Sequence, residues 1–315
     1  MKQASKRWFE LDKVLIAGGS GFIGAAIQQL VLNERLDDDF AFSFNKNPEK
    51  INARLNKVQL DLLKTGASKK IKEYPLAVYV AGNMDHGLAK RSPLQDLDLN
   101  VRTFLNFMEE FRGSLVLLSS QAIYYGLEGE TSEAVNHVAT VPYGLSKQMV
   151  EEYAKYLLKE GTLQKLWIFR LMYAFGKGEK ERRLIPRCAN AVRNNKEAII
   201  FGGGKSFLNP LPSWFIAQVL LKSAERLKAS ESKFMEVTNI NYPERVSVKD
   251  VVTFLNSVKH FDFAIEDSGE EWPVKFWGNT KNLLSHMRDW NIDFPDLWDN
   301  LKEYFIELIE GKAHG

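Results

Sequence analysis

The chain has 315 residues, of which 45% are hydrophobic and 26% charged, with a formal net charge of +2. It is long enough to bury a sizeable core, as one large α/β unit or as a larger domain with a smaller one attached. A near-neutral balance with scattered Lys and Arg excludes a nucleic-acid partner and an anionic membrane surface, both of which need a concentrated basic field.

In chain order, KVLIAG (13–18) predicts a short buried strand and GFIGAAIQQLVLNE (21–34) a helix. DFAFSF (39–44), KVQL (57–60) and LAVYVAG (76–82) predict three more strands, and a helical pattern fills 93–112. SLVLLSS (114–120) is the next strand, followed by a helix that begins near Tyr143 and by the strand KLWIFRL (165–171). Nearly continuous apolar strands alternating with helices predict an α/β fold, a Rossmann-type doubly wound parallel sheet covered on both faces. Beyond residue 175 the pattern changes. Helices are expected near 183–195 and 213–228, with FGGGKSFLNPLP between them, and KFMEVTNI (233–240) and FDFAIE (261–266) read as strands. A helical tail fills 280–311. The expectation is a dinucleotide-binding domain over 1–175 and a smaller C-terminal α/β substrate module over 176–315, with some chain exchange and no Pro/Ser-rich linker.

Cys188, the single cysteine, rules out an internal disulfide and fits a reducing compartment; within an apolar helical stretch it reads as packing. The first dozen residues, MKQASKRWFELD, lack the apolar core of a signal peptide, and no run approaches the ~18 apolar residues of a membrane span. A cytoplasmic protein is expected. The histidines are dispersed without metal-ligand spacing, so no metal site is expected.

Three stretches carry chemistry. VLIAGGSGFIGAAI places Gly18, Gly21 and Gly24 at a strand-to-helix junction, with Ser20, Phe22 and Ile23 beside them. A tight turn without Cβ atoms lets backbone approach a pyrophosphate, and the helix N-terminus offers free N–H groups. At the end of the second strand an NAD enzyme normally carries an Asp or Glu for the ribose hydroxyls. AFSFNKNPEK offers Ser43, Asn45 and Lys46 instead, with no acid before Glu49 and with Lys50 and Arg54 nearby. A hydroxyl and a lysine suit a 2′-phosphate, so NADP(H) is favoured, with NAD(H) as the alternative. In VPYGLSKQMVEEYAKYLL, Tyr143 and Lys147 lie four apart on one helix face. A phenol of pKa about 10 is a poor acid–base group at neutral pH, and a neighbouring ammonium favours its phenolate. The pair by itself is equally compatible with an ordinary helix.

The GxxGxxG spacing with Phe22-Ile23-Gly24 resembles the extended short-chain dehydrogenase/reductase family, whose NAD-dependent epimerase/dehydratase members act largely on nucleotide sugars. The resemblance continues through QLDLLK, YVAGN, LDLNVRTFLN, LLSSQAIYYG, the Tyr–Lys pair, FRLMYAFGKG and the closing NTKNLLSHMRDWNIDFPDLWDNLKEYF. It implies that Asp61 and Leu62 hold the adenine and that Ala81, Gly82, Asn100 and Tyr173 line the cofactor. Tyr173 stands where the family has Asn. It further implies a catalytic set of Ser120, Tyr143 and Lys147, with Lys147 also on the nicotinamide ribose and Ser120 on the substrate oxygen. An extra residue in Ile123-Tyr124-Tyr125-Gly126 leaves Gln121 as the alternative at the hydroxyl position. Met84, His86, Gln121 and Tyr124 are the expected substrate neighbours. The helices at 93–112 and 142–159 carry apolar residues around much of their circumference, which fits the family's four-helix homodimer.

Dehydratases of the family carry Asp-Glu after the catalytic hydroxyl, and Gln121-Ala122 here disfavour dehydration. With NADP(H) favoured, the expected reaction is reduction of a keto group on a nucleotide-linked 4-keto-6-deoxy sugar. The alternatives are a 4-epimerase with tightly bound NAD and a non-catalytic dinucleotide-binding redox sensor. Relatives often read GDGxxxRDF, with Arg on the substrate diphosphate. This chain reads GGGKSFLNPLPSWFIA, with Leu208-Asn209 in place of Arg-Asp, and Arg187 and Lys205 become the candidate cations.

Overall fold

The computed structural model describes residues 13–311, except 268, 270 and 271 and the side chains of 67 and 68. The polar opening dozen, on which the absence of a signal peptide was read, lies outside the described residues. The chain runs through β1 (Val14–Ala17), α1 (Phe22–Asn33), β2 (Phe40–Phe44), β3 (Asn56–Gln59) and β4 (Leu76–Tyr79). Helices α2 (His86–Arg91), α3 (Pro93–Leu97) and α4 (Thr103–Met108) lead to β5 (Ser114–Ser120) and β6 (Gly129–Thr131). Next come α5 (Pro142–Lys159), β7 (Lys165–Leu171), β8 (Tyr173–Phe175), α6 (Leu184–Asn194), β9 (Ala198–Ile200), β10 (Pro210–Pro212) and α7 (Ser213–Ala229). The chain closes with β11 (Phe234–Ile240), α8 (Val248–Val258), β12 (Phe263–Ile265), β13 (Phe276–Gly278), α9 (Lys281–Trp290) and α10 (Leu297–Ile309).

Seven strands form one parallel sheet in the order β11-β7-β5-β4-β1-β2-β3. β1 lies between β2 and β4, with Val14 opposite both Phe40 and Leu76. The strand order reverses at this point, and in open α/β sheets the crevice beyond such a reversal is where ligands bind. The sequence accounts for the layering. Val14–Ala17 and Leu76–Tyr79 are buried throughout, as central strands must be, whereas Asn56–Gln59 is largely exposed and polar, as suits an edge. Tyr79 packs edge-on against Phe104 and Phe107, which clamps the helix at 103–108 to the sheet.

Two compact units emerge. One comprises residues up to 119, 145–169 and 217–237; the other comprises 120–144, 170–216 and 238 onward. The chain changes unit at 119/120, 144/145, 169/170, 216/217 and 237/238. KFMEVTNI, read as part of the C-terminal module, is β11 and joins the main sheet beside β7. The second unit has its own core, in which Phe175, Cys188, Leu255, Leu301 and Phe305 are buried. Its small sheets are the parallel pairs β8–β10, β9–β12 and β6–β13. α8, which periodicity did not single out, is started by a capping box in which Ser247 Oγ accepts from the Asp250 N–H and Asp250 accepts from the Ser247 N–H.

Among the described residues, no helix is long and apolar enough to cross a membrane, and no cluster of His, Cys, Asp and Glu could hold a metal. Cys188 is fully buried, and burial pushes its thiol up to about 12. A maleimide at pH ~8 should leave the native protein unlabelled and modify Cys188 after denaturation. Rapid native labelling, read by mass spectrometry, would contradict this packing.

Candidate cofactor and catalytic site

The turn after β1 has the stereochemistry that phosphate binding needs. Gly18 has φ +94, and a Cβ there would lie 2.7 Å from the Ala81 nitrogen, so the residue fits only without a side chain. A Cβ at Gly24 would stand 2.4 Å from the Gly18 carbonyl oxygen. Gly21 donates its N–H to that same oxygen at 3.0 Å and precedes α1 without any side-chain cap. No acid occupies the first turn of α1, so its positive end is not neutralised by the protein. Ser20 and Phe22 are half-buried beside it and Ile23 is buried. These features fit a dinucleotide pyrophosphate.

The end of β2 looks different from its sequence reading. Ser43 is buried, and its hydroxyl accepts from the Gly18 N–H at 2.8 Å, so it braces the glycine turn from behind. Arg54 is committed to Asp37 at 2.8 Å, and its guanidinium holds the Asp37 carboxyl below the ordinary range. Asn45 donates to Asp61 at 3.4 Å, which brings a carboxylate near the strand end that the linear sequence did not place there. Lys46 remains exposed. Leu62 is buried, and its carbonyl is held by Asn106 Nδ2 at 2.8 Å.

After β4, Ala81 leads to Gly82 at φ +135, where a Cβ would lie 2.6 Å from Asn100 Oδ1. Asn100 is buried; its oxygen accepts from the Asn83 N–H at 2.9 Å, and its amide donates to Asp96 at 2.9 Å and to Ser146 Oγ at 3.1 Å. The helix expected over 93–112 is not uniform, because residues Asp98–Arg102 form a π-helical turn. Such turns recur at functional sites, and nothing in the apolar periodicity announced this one. Asp96, 1% exposed, was likewise missed; in sequence it is one of two acids in SPLQDLDLN.

Lys147 is buried, and its Nζ donates to the Leu118 carbonyl at 3.1 Å. Burial pulls its pKa down to about 8, while the charges of Glu151 and Asp96 oppose that shift. The lysine is therefore mostly an ammonium at neutral pH. Tyr143 lies one turn earlier on the same helix, opened by Pro142 and by Gly144, whose absent Cβ would meet the Ala122 carbonyl at 2.3 Å. Ser120 ends β5 half-buried, and its Oγ accepts from the Ala122 N–H at 3.1 Å, which leaves its own proton to donate.

Two residues expected near the substrate are instead buried in the second unit. Gln121, 1% exposed, donates to Asn241 and to the Arg170 carbonyl and accepts from the Gly278 N–H. Tyr124, fully buried, donates to Asn239 and accepts from Arg170. Both side chains are spent on internal bonds, whereas the Ser120 hydroxyl at the strand end is only half-buried. Met84 is exposed and His86 half-buried, at the start of α2.

The remaining candidates also lie in the second unit. Tyr173 donates to Glu179 at 2.7 Å, and Arg183 both pairs with Glu179 at 2.8 Å and stacks 4.0 Å above the Tyr173 ring. Burial outweighs the guanidinium and pushes the Glu179 carboxyl up to about 7. Arg187 has a buried Nε without a hydrogen-bond acceptor. Lys205 is exposed, 3.6 Å from Asp267. Asn209 is fully buried at φ +39 and tied to the Tyr242 and Glu244 carbonyls and the Val246 N–H.

Replacing Gly18 with Ala should raise the dissociation constant for a dinucleotide at least ~tenfold, the equivalent of about 1.4 kcal/mol, because the added methyl would push the turn off Ala81. Fluorescence titration with NADH and NADPH measures this. Unchanged affinity would remove the turn from the cofactor site.

Residues 14–207 match a family described as NAD dependent epimerase/dehydratase. A putative UDP-glucose 4-epimerase of Methanocaldococcus jannaschii is 28% identical over 207 residues, which cover 61% of this chain and 66% of that protein, just under two thirds of its length. The dTDP-4-dehydro-6-deoxyglucose reductase of Escherichia coli is 25% identical over 260 residues, 76% of this chain and 79% of that protein. Among solved structures, a UDP-glucose 4-epimerase of Thermus thermophilus in complex with NAD superposes with a TM-score of 0.78 at 17% identity, covering 94% of this chain and 98% of that one. A glycine turn at the sheet's reversal point, a serine-ended β5 and a Tyr–Lys helix agree with this match, and the chain belongs to the NAD dependent epimerase/dehydratase family.

Proposed function

We propose that this protein is a 4-epimerase of a nucleotide-linked hexose that works with a retained NAD. The observation that carries the reading is Lys147, buried one helical turn from Tyr143, with a pKa that burial pulls down to about 8. Its charge favours the phenolate, so Tyr143 takes the proton of a sugar hydroxyl and returns it. Ser120 donates a hydrogen bond to the same oxygen and holds it in place. When bound, the dinucleotide supplies hydride exchange at the carbinol carbon. Gly18, Gly21 and the N-terminus of α1 would hold its pyrophosphate, Asp61 and Leu62 the adenine side, and Lys147 the ribose. Arg187, with its unaccepted buried Nε, is the cation we assign to the substrate's diphosphate.

Sequence alone favoured an NADPH-dependent reductase. Ser43 turned onto Gly18, Arg54 paired with Asp37, and Asp61 near Asn45 remove much of that argument. The epimerase names among the relatives weigh the same way. Reduction stays as the second reading because Lys46 is exposed at the end of β2 and because the Escherichia coli relative is a reductase.

Purified protein should release NAD on acid denaturation and interconvert UDP-glucose and UDP-galactose without added cofactor. An empty protein that consumes NADPH with 4-keto nucleotide sugars would replace this reading by the second. Tyr143→Phe should lower turnover about 10²–10⁴-fold while leaving dinucleotide affinity nearly unchanged. Full activity of that variant would end the assignment of Tyr143.

We also propose a homodimer. Leu145, Met149, Tyr153 and Tyr156 form an exposed apolar stripe along α5. Met149→Glu with Tyr153→Glu should convert a dimer to monomer in sedimentation analysis; a wild-type monomer would refute it.

A further inference from the structure

Gln121 brings an amide into the interior, 1% exposed, at the head of the 3-10 turn 121–124 that follows β5. An apolar side chain of the same size would fill that space with no polar group to satisfy. Every hydrogen-bonding group of this amide is nonetheless used. Its oxygen accepts from the Gly278 N–H at 3.1 Å, and its nitrogen donates to Asn241 Oδ1 at 2.5 Å and to the Arg170 carbonyl at 3.2 Å. Asn241 then donates to the Gly278 carbonyl at 3.2 Å, which closes a ring of three residues. The ring leaves no slack: a Cβ on Gly278 would lie 2.5 Å from Gln121 Nε2 and 2.6 Å from Asn241 Oδ1. A buried network with every member satisfied holds one geometry, and removing one member leaves the others unpaired.

The ring holds the turn that separates two of the catalytic side chains. Ser120 caps that turn, its Oγ accepting from the Ala122 N–H at 3.1 Å. The carbonyl of the same Ala122 abuts Gly144, where a Cβ would come within 2.3 Å. Gly144 follows Tyr143 in the first turn of α5. Ala122 thus touches the Ser120 hydroxyl with its N–H and the Tyr143 turn with its C=O. Gln121 anchors one side of Ala122. Tyr124 anchors the other, fully buried and bonded to Asn239 at 2.8 Å and to Arg170 at 2.9 Å. We infer that Gln121 is a positioning residue: the ring it forms with Gly278 and Asn241 sets the distance between the Ser120 hydroxyl and Tyr143. The inference rests on the roles given to Ser120 and Tyr143 above, and it holds for epimerisation and reduction alike. Both groups act on one substrate oxygen, and a shift of ~1 Å between them costs up to about 10²-fold in turnover.

The test is a double-mutant cycle in the full chain between Ser120→Ala and Gln121→Met, which keeps the bulk of the glutamine and opens the ring. Turnover is followed with UDP-glucose, or with NADPH and a 4-keto nucleotide sugar if the second reading holds, and bound dinucleotide is measured alongside. Gln121→Met should lower kcat about tenfold or more, with KM and cofactor affinity nearly unchanged. In the Ser120→Ala background the same change should cost less than about twofold, because the hydroxyl it positions is gone. Asn241→Ala opens the ring from its other side, should show the same coupling to Ser120→Ala, and serves if the Met variant does not fold. An equal loss in both backgrounds, or wild-type turnover in Gln121→Met, would make the ring a general brace and overturn the inference alone. A wild-type protein with neither turnover would overturn the proposed function and this inference together.

Discussion

One buried charge organises the cofactor end of the first unit. The ammonium of Lys147 is nearly out of water, and one of its three donors is satisfied by the Leu118 carbonyl. Such an ion is tolerated only with compensating charge, here Glu151 and Asp96. Asp96 in turn needs donors, which Asn83 and Asn100 supply. Asn100 can serve both Asp96 and the Asn83 backbone because Gly82 leaves room for its oxygen. Asn83, Asp96, Asn100 and Ser146 thus form one hydrogen-bonded cluster beside the segment that carries Lys147.

Much of this was legible in the sequence, and the limits have physical causes. Central strands advertise themselves because both faces are buried, as in VLIA and LAVY. The glycines were readable because the turn forbids Cβ, and the Tyr–Lys spacing because four residues are one helical turn. By contrast, β11 is only partly buried along its length, and its pairing with β7 is a long-range fact that no local pattern encodes. The π-turn at 98–102 is a shift of register within a helix whose apolar spacing barely changes. Asp96 and Asp98 look alike in a string of letters and differ completely in burial. Ser43 was assigned to a ligand on its residue type, and nothing in the linear sequence showed that its hydroxyl also accepts from the Gly18 N–H.

The second unit departs in a coherent way from the motifs of the family it resembles. Tyr173, Glu179 and Arg183 bind one another, and Asn209 holds three backbone groups from the 242–246 turn. Tyr173, which stands where the family's motif has Asn, and Asn209, which stands where it has Asp, are thus both engaged in stabilising their own loops. A single substitution at Asn209 would first dismantle the turn it holds.

The repeated passage of the chain between the two units also bears on how the protein is made. β1 to β5 leave the ribosome first, yet β7 and β11, the last two strands of the same sheet, follow only after long stretches that belong to the other unit. During synthesis the nascent sheet carries an open apolar edge at β5, then at β7, and open edges invite pairing with other chains. Neither unit is a contiguous piece that could be expressed by itself, so a truncation at any point before residue 240 leaves an incomplete sheet. Folding yield, more than thermodynamic stability, is the property that this interleaving puts at risk.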